Sequence, residues 1–338
     1  MSLEAMEWIR GLSVCELGGS LPGALCGSHL GSLGMSVTAW RSASERVQPD
    51  AWGWDWCKHV RAGEPTPTEL AKYDVVIDGR PLETEPVRTV GVLCRILGDW
   101  NTGIEKMPEV VVQSITGFTG YVGNSFEQPI RVGAPVVTLS TGVAAAHASL
   151  AGLLWRRRSD APCHVTVTAV GVGVALLGNN ITSESEPDAR TGFAGEATAA
   201  PVRGVPCADG IVDFTFFREN DGFRRFCQWL GRGELADDER FASLRARRDH
   251  AEELDAVLLP LLATRQAGDV LAQLEAAGAA CSRMFEVAEL VSMHPQVQVL
   301  DMLRFAPEGG GKRALVQLPW LINGDRPPLT PIDGTNKR

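Results

Sequence analysis

The chain has 338 residues, which is enough for two domains or for one large domain with an inserted lobe. Its formal net charge of −9 argues against a nucleic-acid partner, because phosphate binding needs a basic surface. We predict no transmembrane helix, since the longest apolar candidate, residues 165–177, is too short to span a bilayer and contains two glycines.

The first 42 residues predict one strand-helix-strand unit. Residues 12–17 form a short apolar run typical of a strand, and the glycine-rich segment 18–23 predicts a tight turn. Residues 24–33 predict a helix that ends at Gly34, and residues 35–40 predict a second strand. Two strands joined by a helix pair in parallel, so this unit predicts a parallel sheet.

Three further strands are predicted in the first half of the chain, at residues 73–78, 110–116 and 164–170. An alanine-rich helix is predicted over residues 142–158. It ends in three consecutive arginines, Arg156 to Arg158, which fit a solvated helix C-terminus better than a clamp for phosphate.

The composition changes after residue 180. Residues 181–200 are rich in Ser, Thr, Gly, Ala and acids, and we interpret them as a linker. A strand is predicted at 210–217, followed by Asn220-Asp221 as the cap of a helix over 222–230. Two amphipathic helices are predicted at 254–262 and 267–277, and a last strand at 314–318. The elements after the linker predict an α+β lobe.

The cysteines and histidines follow no metal-binding pattern. None of the eight cysteines forms a Cys-x-x-Cys pair, and no two of the six histidines are spaced to share a helix face. We therefore predict no structural metal, and we interpret the cysteines as buried free thiols of a cytoplasmic protein. The first seven residues carry two acids and no basic residue, which is unlike a secretory signal.

One motif stands out at residues 131–142. Gly133-Ala134-Pro135 is followed, three residues after the proline, by Thr138, and the motif ends at Gly142. It resembles the central signature of the family III CoA-transferases, which include formyl-CoA and carnitine CoA-transferases and α-methylacyl-CoA racemase. Further segments resemble this family in matching order: Leu33 to Val37, Asp74 to Ile77, Ile115 to Phe118, Asn220 to Cys227, Leu235 to Phe241, Leu274 to Gly278 and His294 to Val297. Their shared order carries the resemblance.

The resemblance implies a mixed α/β fold with two domains. Residues 1–180 would form most of a large Rossmann-like domain, and residues 301–338 would return to it. After the linker at 181–200, residues 201–300 would form a small α+β domain. The resemblance also implies an interlocked dimer, either a homodimer or a heterodimer with a paralogous subunit, with no membrane partner.

The resemblance places a catalytic residue at the position of Thr138. In the family this residue is an Asp, whose carboxylate attacks the thioester of an acyl-CoA. Thr138 is a poor nucleophile without a nearby base, and no Asp or Glu lies between Glu127 and Asp160. The racemase branch pairs the same Asp with a His. His147 follows Thr138 by nine residues and is better interpreted as an ordinary helix residue than as a base.

The resemblance also suggests which residues contact coenzyme A, as a substrate and not as a bound cofactor. They lie in the first turn, at the end of the second strand, in the turn after Ile77 and in the segment before the signature. The expected contacts are Gly19, Ser20, Leu21, Arg41, Gly79, Arg80, Thr116 and Gly117.

Three hypotheses about function remain open from the sequence. The chain is a family III CoA-transferase-like protein that acts on or binds the acyl-CoA of an organic acid, with Thr138 in place of the usual Asp. Alternatively, it is a catalytically silent subunit that pairs with an Asp-bearing paralogue. A racemase-like activity is the third hypothesis. The missing Asp favours the silent subunit on mechanistic grounds.

Overall fold

The computed structural model describes residues 8–42, 54–55, 57–85, 87, 91–121, 130–178, 181, 204–214, 217, 219–293, 295–308, 311–322, 324 and 326–327. The chain divides into two compact units. The first comprises Met1–Thr119, Arg131–Gly178 and Pro295–Arg338, and the second comprises Gly120–Ile130 and Asn179–His294. The first unit is therefore built from both halves of the chain.

A six-stranded parallel sheet forms the centre of the first unit. Its strands are β1 (Ser13–Leu17), β2 (Ser36–Arg41), β3 (Lys58–Ala62), β4 (Val75–Asp78), β5 (Val92–Leu97) and β6 (Cys163–Thr168). They lie in the order β3-β2-β1-β4-β5-β6. The order reverses between β1 and β4. In doubly wound sheets, ligands bind outside the carboxyl ends of the strands at such a switch point.

Both faces of the sheet are covered by apolar side chains, as expected for parallel strands. On one face, Val14, Val37 and Val75 belong to a core that also contains side chains of α1 (Leu21–Ser32) and α4 (Val136–Ser159). On the opposite face, Cys15 and Val76 belong to a smaller cluster. Alternate residues of each strand therefore face different clusters, which is the period of a β-strand.

Helices α1 and α4 pack closely because Gly142 lies at their contact. A Cβ atom at Gly142 would stand 2.8 Å from the carbonyl oxygen of Pro22 and 2.9 Å from Cβ of Leu25. The sequence predicted that this helix begins at Gly142, but it begins at Val136. Three β-branched residues open the helix, and their low helix propensity hid the first turns from sequence analysis.

Helix α4 has the length and hydropathy of a membrane span, whereas the sequence analysis took residues 165–177 as the longest apolar candidate. Half of its most apolar window is buried inside the protein. Such a helix is weak evidence for a membrane segment, because the core helix of a globular unit has the same composition.

Three shorter helices complete this part of the unit: α2 (Pro67–Leu70), α3 (Glu109–Ile115) and α5 (Ala169–Leu176). The prediction of a strand at 110–116 is wrong, since α3 occupies these residues. Pro108 precedes the helix and Val112 and Gln113 are buried, whereas Val110 and Val111 are exposed. The local β-propensity of three valines is overridden by packing of one helical face.

Near the end of the chain, the first unit contains a short helix and a hairpin. The helix is α11 (Pro295–Val299), and strands β10 (Leu303–Glu308) and β11 (Gly311–Val316) pair in antiparallel register. The described helices of the second unit lie between α5 and α11 along the chain.

The second unit combines a three-stranded antiparallel sheet with five helices among its described residues. Its elements are β7 (Val205–Cys207), β8 (Gly210–Phe214), α6 (Asn220–Trp229), α7 (Leu244–Asp249), α8 (Ala251–Leu262), α9 (Ala267–Ala276), β9 (Cys281–Arg283) and α10 (Val287–Met293). Phe214, Phe217, Phe223 and Phe226 form its aromatic core. Helix α6 begins at Asn220, so the predicted Asn220-Asp221 cap is wrong.

Candidate functional site

The loops after β1 and β4 meet at the switch point of the sheet. A Cβ atom at Gly79 would stand 2.6 Å from the Ser20 hydroxyl oxygen. Gly18 has a φ of +92°, and a Cβ there would stand 2.5 Å from the backbone nitrogen of Arg80. The two loops therefore need glycine at both positions. The structure thus brings the predicted residues Gly19, Ser20 and Leu21 beside Gly79 and Arg80.

Ser20 also fixes the start of α1. Its hydroxyl accepts a hydrogen bond from the Gly23 nitrogen at 3.3 Å, and Pro22 occupies the first turn, where its missing N–H costs nothing. The N-terminus of α1 therefore points its positive dipole end at the switch point, where an anionic group is favoured.

Two arginines share one buried carboxylate in the turn after β4. Asp78 Oδ1 accepts a hydrogen bond from Arg80 Nε at 2.9 Å, and Oδ2 accepts one from Arg95 Nη1. The Asp78 side chain is buried, whereas both arginines keep a small exposed surface. The group formed by Asp78, Arg80 and Arg95 therefore carries one net positive charge. Sequence analysis included Arg80 but missed Arg95, which is contributed by the neighbouring strand β5.

Arg41 belongs to a buried charge cluster instead of standing free at a strand end. Its Nη2 lies 2.7 Å from Glu16 Oε1 and 2.8 Å from Asp55 Oδ1. Lys58, fully buried, contacts Glu16 Oε2 at 2.7 Å and donates to the carbonyl oxygen of Ala24 at 2.7 Å. Burial alone would raise the pKa of Glu16, but the charges of Lys58 and Arg41 outweigh it and hold that pKa low. A contact of Arg41 with CoA stays a prediction.

Thr138 lies in the first turn of α4, and the carboxylate of Glu109 stands beside it. Glu109 Oε2 accepts hydrogen bonds from the Thr138 nitrogen at 2.8 Å and from the Thr138 hydroxyl at 2.6 Å. Glu109 Oε1 accepts from the Val137 nitrogen at 2.9 Å and from Gln113 Nε2 at 2.7 Å. Four donors thus converge on one carboxylate at the position of the signature residue.

Glu109 serves as the cap of α4. The residue at the N-cap position is Pro135, which makes no side-chain hydrogen bond, so the carboxylate from α3 satisfies two of the free N–H groups. Burial would raise the pKa of Glu109, but the hydrogen bonds from Thr138, Gln113 and the backbone outweigh it and lower the pKa. Glu109 is therefore an anion at neutral pH.

Gln113 holds Glu109 in place. It lies one helical turn after Glu109 on α3 and its side chain is fully buried. Besides donating to Glu109, it accepts a hydrogen bond from the Val132 nitrogen at 3.0 Å. The amide therefore positions the carboxylate relative to the segment that leads into α4.

Thr116 and Gly117 lie at the opposite end of α3 from Glu109. Seven residues of helix correspond to about 10 Å, so Thr116 lies about that far along α3 from Glu109. Its hydroxyl donates to the carbonyl oxygen of Val112 at 2.7 Å. Its methyl group packs against Gly173, where an added Cβ would stand only 2.6 Å from it. Among the described contacts, none joins Thr116 or Gly117 to the loops at the switch point. Their contact with CoA therefore stays a prediction.

His147 is exposed and follows Thr138 by two and a half turns, or about 13 Å along α4. Its electrostatic neighbour is His29 of α1, whose pKa is lowered by burial and then by His147. A base at this distance cannot act on the same carbon as a group at position 138. The geometry therefore gives no support to the racemase pairing.

A doubly wound parallel sheet with a glycine-lined crevice at its switch point is the architecture of α/β proteins that bind nucleotide-containing ligands. Comparison with family models narrows this class of protein to one family, since the model of CoA-transferase family III matches residues 107–331. The chain belongs to CoA-transferase family III. The predicted family and the predicted α/β fold are confirmed.

Two relatives illustrate the similarity. A succinate–glutarate CoA-transferase of Agrobacterium fabrum is 30% identical over 239 residues, covering 68% of this chain and 57% of the relative. A succinyl-CoA–D-citramalate CoA-transferase of Chloroflexus aurantiacus is 24% identical, covering 82% of this chain and 79% of the relative. The chain thus spans little more than half the length of the Agrobacterium protein.

Solved structures share the fold. A CaiB/BaiF family protein from Brucella suis superimposes with a TM-score of 0.81 at 22% identity, covering 96% of this chain and 94% of the other. Rv3272 of Mycobacterium tuberculosis gives a TM-score of 0.76 at 20% identity, covering 95% and 94%. At these sequence identities, the structural similarity establishes the fold alone.

Proposed function

We propose that this protein binds acyl-CoA at the switch point and transfers CoA between organic acids. The observation that carries the proposal is the meeting of the Gly18–Leu21 and Gly79–Arg80 loops, where a helix N-terminus and the two arginines around Asp78 favour an anionic ligand. Membership of CoA-transferase family III supports CoA as that ligand, and the names of two relatives support small organic acids as acyl donors or acceptors.

Within this proposal, Gly19, Ser20, Leu21, Gly79 and Arg80 contact CoA, with Arg95 as an added positive group. Arg41, Thr116 and Gly117 are weaker candidates. The side chain of Arg41 is engaged with two carboxylates, and the other two residues lie at the far end of α3.

A second hypothesis is that the chain is a silent subunit of a heterodimer. Its support is Thr138, which stands where the resemblance places an Asp. The anionic Glu109 beside Thr138 counts against it, because the site still contains a carboxylate. In either case we propose a cytoplasmic dimer, formed with a second copy or with a paralogue.

The test is CoA exchange by the purified protein. Succinyl-CoA is incubated with isotopically labelled glutarate, and labelled glutaryl-CoA is measured by mass spectrometry. Exchange by the chain alone contradicts the silent-subunit hypothesis. Absence of exchange until an Asp-bearing paralogue is added contradicts the stand-alone enzyme.

Binding is measured separately by calorimetry with CoA. We expect binding by the wild type and its loss in Gly79→Ala, because the new Cβ collides with Ser20. Gly268→Ala is the matched control, since a Cβ at Gly268 meets nothing within 4 Å. No heat with millimolar CoA would contradict the proposed function.

A further inference from the structure

We propose that Glu109 is the catalytic carboxylate that carries the acyl group and then CoA, in place of a residue at position 138. The proposal rests on the proposed function. Its basis is the 2.6 Å contact between Glu109 Oε2 and the hydroxyl of Thr138, which puts a carboxylate oxygen within one hydrogen bond of the signature position.

Acyl exchange between a thioester and a carboxylic acid needs a nucleophile that is anionic at neutral pH and a good leaving group afterwards. A glutamate carboxylate has both properties. A threonine hydroxyl has neither, and its ester would return the acyl group far more slowly than an anhydride.

The same geometry also allows Thr138 to be the nucleophile with Glu109 as its base, but a carboxylate is far less basic than the alkoxide that it would have to generate. The hydrogen bonds to Glu109 lower its pKa, which makes it a weak base for an alcohol. The same bonds keep it ionised and make it a better leaving group. The carboxylate is therefore the better candidate for the covalent step.

The four donors around Glu109 divide into two sets with different roles. At Oε2, rotation of the Thr138 hydroxyl frees one lone pair for attack while the Thr138 N–H remains bonded. At Oε1, the Val137 N–H and Gln113 Nε2 stand at 2.9 and 2.7 Å. These are the distances of donors that stabilise an oxyanion. They are placed to stabilise negative charge on Oε1 when the glutamyl carbon is attacked.

The steps balance without an oxidant or reductant. Oε2 attacks the thioester carbon, the C–S bond breaks, and CoA leaves as the thiolate, giving a mixed anhydride. The thiolate attacks the glutamyl carbon, and the donor acid leaves with Oε2, giving a glutamyl-CoA thioester that keeps Oε1. The acceptor carboxylate then displaces the thiolate to form a second anhydride. The thiolate finally attacks the acceptor acyl carbon, which releases the new acyl-CoA and restores the carboxylate of Glu109.

The test locates the covalent group. The protein is incubated with succinyl-CoA, quenched with hydroxylamine and digested with trypsin. Cleavage after Lys106, Arg131 and Arg156 places Glu109 and Thr138 on different peptides, 107–131 and 132–156. We expect a hydroxamate on the first peptide, and fragmentation should assign it to Glu109 and not to Glu127.

Label at Thr138 or at any residue other than Glu109 overturns the proposal, as does CoA exchange without label at Glu109. If CoA binds and no label forms, this proposal fails while binding of CoA stands. If CoA does not bind, the proposed function itself fails.

Two variants separate the catalytic role from the structural one. Glu109→Gln keeps an acceptor oxygen, so it should still bind CoA but lose exchange by at least about 10³-fold. Thr138→Val should slow exchange but leave the label on Glu109. Glu105→Gln, an exposed carboxylate four residues earlier, should exchange like the wild type. Exchange retained in Glu109→Gln and abolished in Thr138→Val would overturn the proposal.

Discussion

At the scale of single residues, Glu109 joins two parts of the chain that are 29 residues apart. The motif located Thr138, but it could not show a carboxylate beside it, because only the fold brings together residues so far apart in the chain. The one signal in the sequence is the i, i+4 spacing of Glu109 and Gln113, which puts both on one face of a helix. That signal was masked by the incorrect assignment of a strand to this segment.

The capping role of Glu109 predicts a loss of stability. Glu109→Ala leaves the N–H groups of Val137 and Thr138 without their acceptor, which costs about 1–2 kcal/mol of unfolding free energy. Chemical denaturation at neutral pH measures it. Glu64→Ala, which removes an exposed carboxylate of the same unit, is the control and should leave the midpoint unchanged.

The stabilisation that Glu109 provides should depend on pH in a defined direction. The pKa of Glu109 is lower in the folded protein than its ordinary value of 4.5, so folding favours the charged form. Its charge-dependent contribution is fully present above pH 4.5 and is lost as the pH falls through the lower folded value. The difference in stability between wild type and Glu109→Gln should shrink over that range. A difference that grows on acidification would contradict the assignment.

At the scale of elements, the buried charge cluster ties α1 to three strands. Lys58 opens β3, Glu16 lies in β1 and Arg41 ends β2, while Lys58 also donates to the Ala24 carbonyl of α1. Gly27 leaves room for the cluster, since a Cβ there would stand 2.6 Å from Glu16 Oε2. Strand β3 was not predicted, because its charged residues carry none of the apolar signal of a central strand.

This arrangement predicts that removing one charged side chain of the cluster lowers the unfolding free energy more than removing two opposite charges. Lys58→Met leaves Glu16 buried with a reduced countercharge, which costs about 3–5 kcal/mol of unfolding free energy. The double variant Lys58→Met with Glu16→Gln should be more stable than the single one, because Arg41 then keeps Asp55 as its partner. Lys106→Met breaks an exposed pair with Glu83 and should have little effect. Equal losses in the single and double variants would contradict the coupling.

Elements with one consistent signal were predicted well. The strand-helix-strand unit at the start appears as β1, α1 and β2 with shifts of a few residues, because apolar runs, Pro22 and Gly34 agree there. Elements whose local sequence preference conflicts with their tertiary packing were predicted poorly. In α3 and at the start of α4, β-branched residues favour a strand, and packing together with the Glu109 cap imposes a helix.

At the scale of the whole molecule, an apolar surface on the first unit fits the proposed dimer. Ile115 of α3 is 58% exposed, and Val110, Val111, Val174 and Leu176 of α3 and α5 are also exposed. Helices α3 and α5 contact each other, and exposed apolar residues on adjoining helices are typical of an interaction surface. The sequence did not reveal it, because the segment was assigned to a buried strand.

Charge on this surface should oppose association. We expect Ile115→Lys to shift the protein from dimer to monomer in sedimentation equilibrium, because the new ammonium group must be desolvated in a closed interface. Ala71→Lys adds the same charge at another exposed position of the first unit and should not change the mass. An unchanged dimer in Ile115→Lys would show that α3 lies outside the interface.

The amide protons of Val137 and Thr138 act as built-in indicators of the state of Glu109. Both donate to its carboxylate, so any reaction that neutralises the carboxylate weakens both bonds at once. Their nuclear magnetic resonance shifts should move together on acidification, and again when an acyl-CoA is added. The protein thus contains a spectroscopic probe of the charge on Glu109, located in a helix whose sequence contains no acid.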